Sequence, residues 1–128
     1  MRHDSDRWRE VDVAAGVDGR YEIYAWRFVL SGVESTIEML HASGHISGGE
    51  LLEGLREIAS KQFGPMAKEV LNHWGIYTTR DIGNIVFGLL ASNLLENTDN
   101  DSIEDFDDVF DFKKVFEEDY YGDQHSLT

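Results

Sequence analysis

Residues able to do chemistry are few in this chain, and most fall in short stretches. His41 and His45 stand four apart, the spacing that would set two imidazoles on one helical face as metal ligands. Ser43-Gly44 breaks such a helix between them, and no glutamate follows in an HExxH arrangement. The pair reads as a helix-end histidine and a loop histidine. Ser47, with His45 and Glu50, supplies the residue types of nucleophilic catalysis. Yet Ser-x-x-Glu before an apolar run is the signature of a capping box, in which the hydroxyl accepts a free helical N–H and the carboxylate reaches back. Asn97-x-Asp99-x-Asp101 imitates the opening of a calcium loop. That loop needs Gly at its sixth position and Glu at its twelfth, where this chain has Ser102 and Asp108, so a solvated acidic loop is expected.

The remaining polar candidates reduce to structure in the same way. Gly48-Gly49 is too short to cradle a phosphate. Glu53 and Glu57, one turn apart, read as a solvated helix face, and His73 beside Trp74 reads as a structural helix end. The chain has no cysteine, which excludes disulfides, thiolate chemistry and Cys-based zinc sites. No catalytic, cofactor-binding or metal-ligating residue is assigned, and no cofactor is expected. A small metal-dependent or hydrolytic enzyme stands as an alternative, with the balance against an enzyme.

The elements that must position these residues are helices. Residues 20–40 carry a wide apolar arc, including Tyr24, Phe28, Trp26, Leu30 and Val33, and predict a largely buried first helix. Ser47-Gly-Gly-Glu50 opens a second, amphipathic helix over 48–63. Gly64-Pro65 stops it and starts a third, which Gly75 closes after Trp74. Thr78 or Thr79 caps a fourth helix over about 79–93, with Asp81 in its first turn. Ile82, Ile85, Val86, Phe87, Leu89 and Leu90 cover most of that helix, which marks it as central. Asn84, Gly88 and Ser92 form a narrow stripe of small or polar groups. Glycine inside a helix costs about 1 kcal/mol, which close approach of a neighbouring helix would offset.

After Leu95 the pattern changes. Asp107-Asp-Val-Phe-Asp-Phe112 alternates like a short strand, with Leu94-Leu-Glu-Asn97 as its antiparallel partner, and Asp111 caps a last short helix over 112–119. The expected architecture is mainly α: a four-helix core with a small C-terminal β-hairpin, winged-helix-like. Residues 1–19 read as a flexible N-terminal arm, 20–119 as one globular domain, and 120–128 as a flexible tail.

Charge separates the functional classes. The net charge is −14. Glu96 to Asp123 holds twelve acidic residues against Lys113 and Lys114, a net −10, and residues 1–95 contribute −4. Such a field repels phosphate backbones and anionic membranes. A winged-helix transcriptional regulator would read DNA with the helix from 79, but residues 65–95 balance Lys68 and Arg80 against Glu69 and Asp81. A reading helix needs cations for phosphates and polar groups for base edges, so nucleic acid is disfavoured and that regulator is the second alternative. No run approaches the roughly 18 apolar residues of a membrane span, and MRHDSDRWREVDV has no apolar core of a secretory signal; a cytoplasmic protein is expected.

The acidic C-terminal quarter also carries aromatics: Phe106, Phe110, Phe112, Phe116, Tyr120 and Tyr121. Apolar groups on an acidic scaffold suit a protein partner, a basic one by charge, or a second copy of the chain. Phe106, Phe110, Tyr120 and Tyr121 are the candidate interaction surface. A small acidic cytoplasmic interaction or adaptor module is the leading expectation.

One set of motifs resembles a family. His45-Ile-Ser-Gly-Gly-Glu-Leu-Leu-Glu-Gly-Leu-Arg56, Phe63-Gly-Pro, Val70-Leu with Trp74-Gly-Ile, Thr79-x-Asp-Ile-Gly-x-Ile-Val-Phe87, and Asp105-Phe to Asp111-Phe with Phe116 together resemble an uncharacterised bacterial family restricted to planctomycetes and verrucomicrobia. The resemblance spans roughly residues 21–116. It departs at Asp81-Ile, where Asp-Phe is the family pattern, and at Val109-Phe110, where a Tyr precedes Asp-Phe. The resemblance implies domain boundaries and no activity.

Overall fold

The computed structural model describes residues 4–40, 46–95 and 102–118. Five α-helices lie within them: α1 (Asp4–Asp18), α2 (Ile23–Met39), α3 (Gly48–Phe63), α4 (Ala67–His73) and α5 (Thr79–Ala91). Gly64–Met66 and Ile103–Phe106 are 3₁₀ turns, and Lys113–Glu118 is a π-helical turn. α2 packs against α1, α3 and α5, so it shares the centre of the domain with α5.

Local chemistry sets the helix ends. Ser47 Oγ accepts from Glu50 N while Glu50 Oε1 accepts from Ser47 N, each at 3.1 Å, which is the expected capping box. Thr78 caps α5 through Asp81 N, and Asp81 Oδ2 accepts in return from Tyr77 N at 2.8 Å and Thr78 N at 3.1 Å. Pro65 falls in the 3₁₀ turn before α4 and not at the first position of the helix. Gly75, at φ +94°, closes α4 in a conformation that L side chains rarely adopt.

The small stripe on α5 has a clear purpose. A Cβ at Gly88 would lie 2.5 Å from Cη2 of Trp26, so the missing side chain is what lets the indole of α2 lie against α5. At the other end of the interface, the Tyr21 hydroxyl donates to Asp81 Oδ1 at 2.7 Å and accepts from Asn84 Nδ2 at 2.8 Å. The stripe therefore receives two aromatic side chains from the α2 side of the core.

The β-hairpin and the winged-helix architecture are corrected. No strand occurs among the described residues. Leu94 does not extend into a pairing partner: Asn93 turns the chain at φ +58°, Leu94 N donates to Leu89 O at 2.9 Å, and Leu94 and Leu95 are buried. Nor does the alternation over 107–112 mark the two faces of a strand. Phe106 and Phe112 are buried against the helices, while Asp105, Asp107 and Asp111 remain exposed. Period two arises here because an irregular segment docks its aromatics one at a time. Asp111 does start the last turn, its Oδ1 accepting from Lys113 N at 2.8 Å.

The reading of residues 1–19 as a loose arm also differs from the structure. Asp4–Asp18 is helical, and Val11 and Ala15 are buried with Trp8 partly so. Arg27 Nε of α2 donates to Asp12 Oδ1 at 2.9 Å, and Arg7 pairs with Glu34. These ties run α1 antiparallel along α2 and bring its C-terminal half beside the end of α5.

Candidate functional site

Each sequence candidate has a definite place in the described structure or lies outside it. Phe106 is 1% exposed, a core residue and no part of an open surface. Phe110 is half-buried, with its ring centroid 5.9 Å from Phe112 and 6.2 Å from Phe116. It lines a cleft of about 530 Å³ with Lys68, Tyr77 and Lys113. Tyr120 and Tyr121 lie outside the described residues, as do His41, His45, Asn97, Asp99 and Asp101. The structure thus brings Phe110 together with Phe112 and Phe116 and separates Phe106 from them.

The catalytic and metal-binding candidates that are described have structural partners or none. Ser47 and Glu50 complete the helix cap. Glu53 pairs with Arg56, whose hydrogen bond holds the carboxyl below its usual range. His73 is exposed at the end of α4. Among the described residues, no three His, Asp or Glu side chains are placed to hold a metal ion. The Tyr21 hydroxyl bridges Asp81 and Asn84 of α5. Burial pushes the phenol up to about 12; the hydrogen bond from Asn84 opposes that shift, and the Asp81 carboxylate reinforces it. A phenol so placed stays neutral near pH 7 and ties the start of α2 to the first turn of α5.

A different feature has the form of a binding surface. Between the C-terminal half of α1 and the C-terminal end of α5 runs an open groove of about 680 Å³. Trp26 and Gly88 form part of its lining. Val13, Ala14 and Val17 supply one wall, Ala91 and Ser92 the other, and Arg9, Glu10 and Asp18 contribute the charged groups. Val13 is 62% and Val17 84% exposed. Burying one valine fully stabilises by roughly 1.5–3 kcal/mol relative to leaving it in water, so this wall leaves a substantial apolar contribution unused. The Asp18 carboxyl is held below its usual range by Arg20, whose Nη2 donates to it at 2.8 Å.

Sequence reasoning missed this groove because it missed α1. The signal was present in Trp8, Val11 and Ala15, spaced three and four apart, with Val13 and Val17 four apart on a second face. No protein-family model, curated protein or solved structure matches the chain. The functional reading therefore rests on the chain's own chemistry.

Proposed function

We propose that this chain is a protein-interaction module of the adaptor kind, which receives a helix of a partner protein in the groove between α1 and α5. The observation that carries this reading is the pair Val13 and Val17, one turn apart and open to solvent beside the small residues Gly88, Ala91 and Ser92. Aliphatic side chains facing small residues across a groove are the complement of an apolar helix face. The net charge of −14 favours a partner with basic residues flanking its apolar stripe and steers their encounter.

The test compares capture by the native chain with capture by V13E/V17E. Both substitutions fall on exposed positions, so the fold should tolerate them. A partner of the groove binds the native chain and is lost from the variant. A set of captured proteins unchanged by the substitutions would remove the groove from the account.

A further inference from the structure

We propose that the notch on α5 formed by Thr79, Arg80, Gly83 and Phe87 is a recognition site for an acidic segment with an aromatic anchor. The chain's own Phe106–Val109 occupies it, and a partner segment of the same chemistry can replace them. This site shares no residue with the α1–α5 groove and does not depend on it.

The notch reads its occupant at four points. A Cβ at Gly83 would meet Phe106 Cβ and Cγ at 2.6 Å, so the glycine makes room for the anchor. Phe87 meets the Phe106 ring edge-on, with centroids 6.0 Å apart. The buried Thr79 hydroxyl donates to the Phe106 carbonyl at 2.6 Å and accepts from Val109 N at 3.1 Å. Arg80 Nη1 donates to the Asp107 carboxylate at 2.8 Å. Four successive residues of the occupant are thus specified as an aromatic ring with its carbonyl, then a carboxylate, then a residue able to take the left-handed backbone of Asp108, then a free N–H. The reading groups lie within just over two turns of one helix.

Side chains dock this segment on the helices. Its main-chain hydrogen bonds run within itself: Asp105 N to Ser102 O, Asp107 N to Glu104 O, and Val115 N to Asp111 O. Among the described residues, no main-chain bond joins 102–118 to the main chain of the helices. Asp108 sits at φ +48°, a region that non-glycine residues seldom occupy. Just beyond it the segment stands away from Lys68 and Tyr77 across the 530 Å³ cleft. Side-chain anchors and one threonine clasp therefore carry the docking.

The test uses full-length chains and a fluorescent peptide with the sequence of residues 102–118, read by anisotropy. F106A empties the notch and should bind the peptide at least tenfold more tightly than the native chain, in which the closed segment competes. D107K keeps the anchor but reverses the charge facing Arg80. It should bind with intermediate strength, and it decides the matter if F106A loses its helical circular dichroism. A peptide carrying Phe106→Ala should bind neither chain, and G83A/F106A should bind nothing because the added methyl fills the notch. The proposal is overturned if folded F106A and D107K chains both ignore the peptide. Equal binding by native and F106A chains, or undiminished binding by G83A/F106A, would overturn it as well.

Discussion

Replacing Thr79 with valine removes a hydroxyl and almost nothing else. Thr79 is fully buried, and its Oγ1 is both donor to Phe106 O and acceptor from Val109 N. Each such hydrogen bond contributes about 1 kcal/mol net, and a buried carbonyl left unpaired costs about 1–3 kcal/mol. The Phe106 carbonyl lies on a buried residue, whereas Val109 is exposed and its N–H can turn to water. T79V should therefore lose about 2 kcal/mol, which in a domain of this size lowers Tm by roughly 6–10 °C. T79S keeps the hydroxyl and gives up one buried methyl, a loss of about 1 kcal/mol. Urea unfolding of the three proteins, with equal m-values, provides the comparison. Hydrogen exchange would show where the loss falls: amides of 105–109 should exchange faster in T79V, and those of α2 should change little. A T79V protein as stable as the native chain, or more stable than T79S, would refute the clasp.

Other outcomes follow from the same geometry. G88A gains about 1 kcal/mol of helix propensity but drives a methyl to 2.5 Å from the buried Trp26 ring; overpacking of this kind costs about 1–3 kcal/mol, so calorimetry should show a net loss. The Tyr21 phenol is raised in the folded state from 10 to about 12. Its contribution to stability is therefore complete below pH 10 and is lost as pH rises from 10 to 12. The stability difference between native and Y21F chains should shrink over that window in alkaline urea titrations. T78A removes the cap of α5 and should cost about 1 kcal/mol, read as a lower urea midpoint with the helical signal retained.

Much of the helical frame was legible. α3 matches its expected span because a capping box and a glycine bracket a clean apolar stripe. α2 and α5 follow from their wide apolar arcs, and the stripe through Gly88 correctly signals close approach of a neighbour. Two segments were not legible. The alternation of 107–112 has the period of a strand, yet only tertiary packing decides whether such a period serves a sheet or a series of single anchors. In α1 the apolar positions are divided between two faces, Val11 and Ala15 inward and Val13 and Val17 outward, so no single stripe stands out against its charges. The groove needs both α1 and the end of α5, and so it stayed hidden along with the helix. Phe106 illustrates the same limit: a phenylalanine among aspartates looks exposed until Gly83 is known to lie beneath it.

If the α1–α5 groove is the contact face, a bound partner must shield it from exchange. The most direct measurement is a hydrogen-exchange footprint of the native chain bound to a partner it captures and V13E/V17E does not. Added protection is expected over residues 13–18 and 88–94, with α3 unchanged. Protection confined to α3, or to 102–118 with the groove left as exchangeable as in the free chain, would contradict it.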